Sequence, residues 1–149
     1  MNKSSNIFLL LLSALFAACT AEPLFLEFKS VPQTGWHKDS ALVFNVDIQD
    51  TVNAYDILFH IRHTDAYPYQ NMWLFVGDND TIEFYLADDY GRWLGEKGMH
   101  HISMPVLYEY AYRFDSVGTY TFALKHGMRS DVLKGITDVG VEIRQTANE

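Results

Sequence analysis

The sequence predicts a mainly β protein that folds as a single antiparallel β-sandwich, of the jelly-roll or immunoglobulin-like kind, with about eight strands and at most one short helical turn. Three observations predict this class. Apolar and polar residues alternate in one segment after another, no long segment repeats with the period of a helix, and turn-forming residues separate the alternating segments. The chain has 149 residues, of which 15% are aromatic, and no internal repeat, as expected for one folded domain behind a short leader.

Alternation with a period of two residues marks each predicted strand. In residues 41–48, for example, Leu42, Phe44 and Val46 fall on one face. The turn sequence at 77–80 joins two strands as a hairpin. The predicted strands are residues 24–28, 41–48, 54–62, 71–76, 81–87, 106–114, 119–125 and 139–144. The stretch from Leu86 to Pro105 is then interpreted as the end of a strand followed by a long ordered loop.

Three local patterns give finer predictions. The spacing of Asp115, Gly118 and Tyr120 resembles the tyrosine corners of β-sandwiches. Ser130 as an N-cap and Gly135 as a left-handed stop predict a single helical turn between them. The alternation in 106–114 places five side chains on one face, namely Val106, Tyr108, Tyr110, Tyr112 and Phe114.

The first residues have the pattern of an export signal. An apolar run at 7–16 follows Lys3 and ends in small residues directly before Cys19, which is the only cysteine. This arrangement resembles a bacterial lipoprotein signal, in which the cysteine is acylated and becomes the first mature residue. We therefore expect residues 1–18 to be a cleaved leader, 19–23 a short acylated tether and 24–149 the β-sandwich domain.

The tether and the charge balance limit the possible partners. Four residues between Cys19 and Leu24 reach only about 13 Å when extended, so the domain should lie close to a membrane. The net charge of the chain is −8, with 11 basic and 19 acidic residues. An acidic chain without a basic cluster is not expected to bind nucleic acid or to adsorb to anionic lipid by charge.

No catalytic or cofactor pattern is present. The sequence lacks the nucleophile elbow, the zinc-protease motif and the phosphate-binding glycine loops. His60 and His63 would point to opposite faces of a strand, so the histidines lack the spacing of zinc ligands. We predict no enzyme, no cofactor and no metal; a structural calcium ion held by the acidic turns 78–81 or 88–89 is the alternative left open.

Aromatic side chains give the candidate binding surface. Flat rings beside polar groups suit contacts with a protein or a sugar. Two segments supply them, the residues around Pro68 and the predicted loop that follows Leu86. The predicted surface residues are Tyr67, Tyr69, Trp73, Asp88, Asp89 and Trp93.

A structural role is predicted for one arginine. In the run GMRSDVLKGITDVG, Arg129 is close in sequence to two carboxylates. We expect Arg129 to pair with Asp131 or Asp138 and to fix the turn before the last strand.

Short sequence blocks in a fixed order carry a family resemblance. The first strong block is YPYQNMWLFV at 67–76, the second combines Leu86-Ala87-Asp88 with Gly91, Trp93-Leu94 and Gly95, and the last is HGMRSDVLKGITDVGVEI at 126–143. In this order, behind a lipoprotein-type leader, the blocks resemble the GldH family of gliding-motility lipoproteins from Bacteroidota.

The resemblance implies a cell-envelope lipoprotein anchored at the outer membrane. It implies contacts with other gliding lipoproteins and with the type IX secretion apparatus, and it provides no catalytic residue. The hypothesis is therefore a non-enzymatic protein that supports assembly through protein–protein contacts. The alternative is a glycan-binding β-sandwich module on an envelope lipoprotein, suggested by the same aromatic residues together with Asp88 and Asp89.

Overall fold

The computed structural model describes residues 22–147, and within this range the chain forms antiparallel β-sheets and no helix. The predicted leader and Cys19 lie outside the described residues. The strands are β1 (Phe25–Ser30), β2 (Trp36–His37), β3 (Leu42–Ile48), β4 (Tyr55–His63), β5 (Asn71–Val76), β6 (Asp80–Tyr85), β7 (Glu96–Lys97), β8 (Ile102–Tyr112), β9 (Gly118–His126), β10 (Val132–Leu133) and β11 (Ile136–Gln145).

Two large sheets pack face to face as a sandwich, which confirms the predicted fold class. One sheet has the order β1-β11-β4-β8-β7, the other has the order β3-β9-β5-β6, and β10 pairs with β2 as a small separate sheet. Of the eleven strands in residues 22–147, eight have six residues or more, and these correspond to the eight predicted segments. The predicted hairpin is the pairing of β5 with β6.

The core lies between the inner faces of the two large sheets. Phe44, Val46 and Ile48 are buried on β3 while the residues between them are exposed, as the alternation predicts. The Phe59 ring stacks on Tyr108 of the neighbouring strand β8, with centroids 4.7 Å apart, and meets Phe122 of the opposite sheet edge-on at 6.4 Å. Phe59 is fully buried, and a fully buried side chain of this size contributes about 2–3 kcal/mol of hydrophobic stabilisation.

The prediction that every second residue of 106–114 shares one face is wrong at Tyr110. Tyr108 points into the core, but the Tyr110 side chain is 63% exposed. The register between β4 and β8 shifts twice near Ile57, and Ala111 has a positive φ of 52°. A β-bulge of this kind adds residues to one strand, so the alternation of faces changes there.

The predicted helical turn from Ser130 to Gly135 is also wrong. Val132–Leu133 pairs with Trp36–His37 instead, and Lys38 N donates to Asp131 O at 2.9 Å. The backbone groups of this segment are therefore satisfied by a distant strand. Gly135 does adopt the predicted left-handed conformation, with φ of +86°.

The strand directions define two ends of the sandwich. At the tether end, made of residues 22–25, 49–55, 112–118 and 143–147, β1 starts opposite Ile143 and β3 ends opposite Gly118. The distal end is made of residues 63–73, 86–103 and 126–135. The nine-residue strand β4 runs from one end to the other, a distance of about 27 Å at roughly 3.3 Å per residue.

Candidate functional site

A groove of about 560 Å³ opens at the distal end, beside the outer face of the four-stranded sheet. Met72, Leu74 and Val76 of β5 are buried in the core. Because side chains alternate along a strand, Asn71 and Trp73 face outward. The groove is lined by Tyr69, Asn71, Trp73, Gly127, Met128 and Arg129.

Close backbone contacts fix the walls of the groove. Gly127 N donates to Trp73 O at 2.7 Å, and Trp73 N donates to the Met128 sulfur at 3.3 Å. A Cβ on Gly127 would lie 3.1 Å from Trp73 Cβ. The close approach of these two backbone segments therefore favours glycine at position 127. The Tyr69 hydroxyl shares a hydrogen bond with Ser130 Oγ at 2.8 Å. The Trp73 ring, 40% exposed, is therefore held on a well-ordered wall.

Arg129 does not make the predicted ion pair. Asp131 instead accepts from Lys38 Nζ at 2.6 Å, and Asp138 accepts from Ser30 Oγ at 2.9 Å. The Arg129 side chain is exposed, and no carboxylate in residues 22–147 lies within ion-pair distance of it. The prediction fails because Asp131 is drawn towards β2 by the pairing with β10. Arg129 instead supplies a guanidinium group to the groove.

Two residues of the predicted binding surface are packed into the protein. Tyr67 is only 3% exposed, and its hydroxyl donates to Asn71 O at 2.9 Å. Burial raises the pKa of Tyr67 above its usual value. The Trp93 ring is half-buried, lies 4.6 Å from the His63 ring and donates through Nε1 to Asp65 Oδ1 at 2.9 Å. The prediction that Tyr67 lies on the surface is wrong: its ring packs against Tyr69 of the groove at 5.9 Å and against the partly exposed Trp93 at 6.4 Å.

His63 lies under these rings as a neutral core residue. It is fully buried, and desolvation lowers its pKa. Its Nδ1 donates to Thr64 O at 3.1 Å.

No group of three or more metal-ligating side chains converges anywhere in residues 22–147. No helix in that range has the length and apolar character to cross a bilayer.

Asp88 organises the segment that follows β6. Its Oδ1 accepts from the Tyr90 N–H at 3.0 Å and the Arg92 N–H at 2.9 Å, and its Oδ2 accepts from Arg92 Nε at 2.7 Å. Hydrogen bonds, first of all the one from the Arg92 N–H, hold the pKa of Asp88 below its usual value. Asp88 therefore fixes the loop rather than offering a free carboxylate, whereas Asp89 is exposed.

The long loop predicted from Leu86 to Pro105 is shorter than expected. Ala87 bridges to Trp93, β7 pairs with the start of β8, and β8 already begins at Ile102. Short strands of this kind carry too few residues to show a period. The ordered segment from Leu86 to Ile102 exposes three large side chains that are not among the predicted surface residues, namely Tyr90 at 85%, Leu94 at 51% and Met99 at 91%.

The distal end thus combines two neighbouring contact regions. The first is the groove, and the second is the Asp88-ordered loop with its exposed Tyr90 and Met99. Gln70 joins them, since its carbonyl accepts from Leu86 N at 2.7 Å and its Nε2 donates to Asp88 O at 3.1 Å. The groove lining contains no histidine, cysteine or carboxylate among the described residues. The arrangement is suited to binding by ring faces, a thioether and a guanidinium.

A family model described as GldH lipoprotein matches residues 24–143 of this chain. The chain belongs to the GldH lipoprotein family. It is 32% identical to a gliding motility lipoprotein GldH from Flavobacterium johnsoniae, with 96% of this chain and 97% of the relative covered. It is 29% identical to a gliding motility lipoprotein GldH homolog from Christiangramia forsetii, with 99% and 100% covered. No solved structure matches the chain.

The resemblance noted in the sequence is therefore confirmed. A GldH-family chain is a gliding-motility-associated lipoprotein, which implies lipid anchoring in the cell envelope. Two of the sequence blocks that carried the resemblance meet at the groove of this GldH-family chain. Residues 67–76 supply Tyr69 and Trp73, and residues 126–143 supply Met128 and Arg129.

Single substitutions should separate the residues that support the site from those that face solvent. Trp93→Ala removes ring contacts with His63 and Tyr67 and the hydrogen bond to Asp65, so we expect it to lower the free energy of unfolding by about 2 kcal/mol. Arg129→Ala should change the same quantity by less than about 0.5 kcal/mol, since it removes no ion pair. Chemical denaturation of both variants checks this, and equal losses would contradict it.

Proposed function

We propose that this protein is anchored to the outer membrane through acylated Cys19 and acts without catalysis, by holding partner proteins of the gliding-motility and type IX secretion machinery at its distal end. The observation that carries the proposal is the composition of that end. It exposes side chains of the types that are enriched at protein interfaces, tyrosine, tryptophan, methionine and arginine. These are Tyr69, Trp73, Tyr90, Arg92, Met99, Met128 and Arg129.

Rigidity makes this surface suitable for binding. The Trp73 wall is fixed by backbone contacts to Gly127 and Met128, and the loop is fixed by the hydrogen bonds between Asp88 and Arg92. Side chains that are already ordered lose less conformational entropy when a partner binds. A large exposed ring such as Tyr90 on an ordered loop is costly to leave in water and stabilising when a partner covers it.

Charge indicates the kind of partner surface that fits the groove. Among residues 22–147 no carboxylate pairs with Arg129, although the net charge of the chain is −8. Glu83 is the carboxylate bonded to the groove residue Asn71, whose Nδ2 donates to it at 2.6 Å. A partner segment that brings an acidic side chain to Arg129 and an apolar side chain to Trp73 would complement both groups.

The test is co-purification of the lipidated protein with its partners from native membranes. Trp73→Ala combined with Arg129→Ala should reduce the recovered partner at least about 10-fold, since interface anchors of these types are typically worth about 2 kcal/mol or more. The matched control is Leu107→Ala combined with Lys29→Ala, an exposed apolar residue and a partly exposed cation on the five-stranded sheet, both away from the groove. Unchanged recovery with the groove variant would show that the groove is not the contact surface.

Glycan binding is the second candidate, and the residue types that line the groove favour it. Tyr69 and Trp73 line the groove together with the amide of Asn71 and the guanidinium of Arg129, and aromatic rings beside such polar groups can stack on a sugar ring and bond its hydroxyls. Calorimetry of the purified protein against envelope polysaccharides tests it. Binding that disappears in Trp73→Ala would support this candidate. The absence of measurable binding heat with every polysaccharide would count against it.

A further inference from the structure

We propose that the tether end is itself a membrane-docking surface, with Val52 and Val117 inserted among the lipid headgroups so that the distal end points away from the bilayer. The inference rests on the proposed anchoring of Cys19, and it adds an orientation and a second, non-covalent contact with lipid.

The entry point of the chain determines which part of the domain can reach the bilayer. The first described residues lead into β1 at Phe25, which lies opposite Ile143 near the end of β11. Four residues separate Cys19 from Leu24, and they span about 13 Å at full extension. The sandwich is about 27 Å long along β4. The tether end is therefore held against the membrane surface, while the distal end is beyond the reach of the tether in an upright domain.

One apolar tip at this end belongs to the turn between β3 and β4. Asp50 Oδ1 accepts from Val52 N at 2.7 Å and from Asn53 N at 3.3 Å, and Asp50 Oδ2 accepts from the Tyr55 hydroxyl at 3.0 Å. These hydrogen bonds stabilise the ionised carboxylate and lower the pKa of Asp50 to about 2, and the bond from the Val52 N–H has the largest effect. The turn is ordered and displays the Val52 side chain with 75% exposure.

The second apolar tip belongs to the loop between β8 and β9, where the predicted tyrosine corner is confirmed. The Tyr120 hydroxyl donates to Ser116 O at 3.0 Å and accepts from Ser116 N at 3.2 Å. Val117, next in the chain, is 62% exposed. The Arg113 guanidinium donates to the Val52 carbonyl, so the turn that carries Val52 is bonded to the segment that leads into the loop of Val117.

The surrounding side chains suit the headgroup layer. Tyr110, on β8 two residues before the tether end, is 63% exposed, and tyrosine is favoured at the membrane interface because its ring is apolar and its hydroxyl polar. Arg113 and Arg144 provide exposed guanidinium groups that can bond phosphate oxygens, although Arg144 also lies 3.9 Å from both Asp56 and Glu142. The carboxylates of Glu22, Asp50 and Asp115 lie at the same end. This mixture of charges fits a zwitterionic lipid surface better than an anionic one.

Spin labels on the full-length lipidated protein, reconstituted in phosphatidylethanolamine vesicles, test the orientation. Because acylation occupies Cys19, Val52→Cys and Val117→Cys each offer one thiol for a nitroxide. The matched controls are Met99→Cys at the distal end and Leu107→Cys on the outer face of the five-stranded sheet, both exposed. We expect the labels at 52 and 117 to collide about 3-fold less with a water-soluble nickel complex than the label at 99, as for side chains in the lipid interface.

Each outcome has a distinct meaning. Equal nickel access at 52, 117 and 99 would overturn the docking surface while leaving the anchor intact. Shielding at 107 with open access at 52 and 117 would show that the domain lies flat, which also overturns it. If unlabelled protein fails to float with the vesicles, the anchoring of Cys19 is wrong and the docking proposal falls with it.

Discussion

Gly135→Ala should lower the free energy of unfolding by at least about 3 kcal/mol, because the site combines a left-handed backbone with a backbone clash. Gly135 has φ of +86°, and a Cβ there would lie 2.5 Å from Tyr67 N and 2.6 Å from Tyr67 Cα. The segment from Thr64 to Tyr67 cannot easily move away from the added methyl group. Gly135 O accepts from Thr64 N at 2.8 Å, and the Tyr67 ring is buried.

Gly91→Ala is the matched control for this prediction. Gly91 also has a positive φ, of +76°, but nothing lies within 4 Å of the position that a Cβ would take there, so only the conformational cost of about 1 kcal/mol remains. In a thermal melt the midpoint should fall by about 10 °C or more for Gly135→Ala and by roughly 4 °C for Gly91→Ala. Equal shifts would mean that the contact with Tyr67 does not constrain the fold.

Cys19→Ser should move nearly all of the protein from the membrane fraction to the soluble fraction. Without the thiol no acyl chains can be attached, and stable membrane binding of a protein of this kind needs two such signals. The Val52 and Val117 tips alone bury too little apolar surface to retain the domain. Fractionation of cells that express the wild type and the variant measures the effect.

Mass spectrometry completes the test of the anchor. The mature wild-type chain should carry the added mass of the acyl groups on its first residue, and Thr20→Ala, which leaves the cysteine in place, should remain in the membrane. Membrane retention of Cys19→Ser together with no added mass on the wild type would contradict lipidation.

Strand positions were predictable because burial on one face imposes a period of two on the sequence. Strand β3 shows this clearly, since Phe44, Val46 and Ile48 are buried and Val43, Asn45 and Asp47 are exposed. The two-residue strands β2 and β10 could not be found in the same way. Their pairing depends on residues nearly a hundred positions apart, and two residues have no period.

The candidate site was predictable in part, for a similar reason. The sequence shows where aromatic residues cluster, and Tyr69 and Trp73 do line the groove. It does not show which ring of the pair around Pro68 is covered: Tyr67 is packed against Trp93 and His63, and Tyr69 is not. Nor does the sequence show that Asp131, the predicted partner of Arg129, pairs with Lys38 beside the β2–β10 pair.

Photo-crosslinking in the native envelope tests the central claim most directly. A benzophenone amino acid placed at position 73 or 99 of the lipidated protein should form adducts with envelope proteins, because both positions lie on the exposed distal end. The same amino acid at position 107, exposed on the outer face of the five-stranded sheet, should form few or none. Adducts from position 107 alone, or equal adducts from all three positions, would contradict the assignment of the distal end as the partner-binding surface.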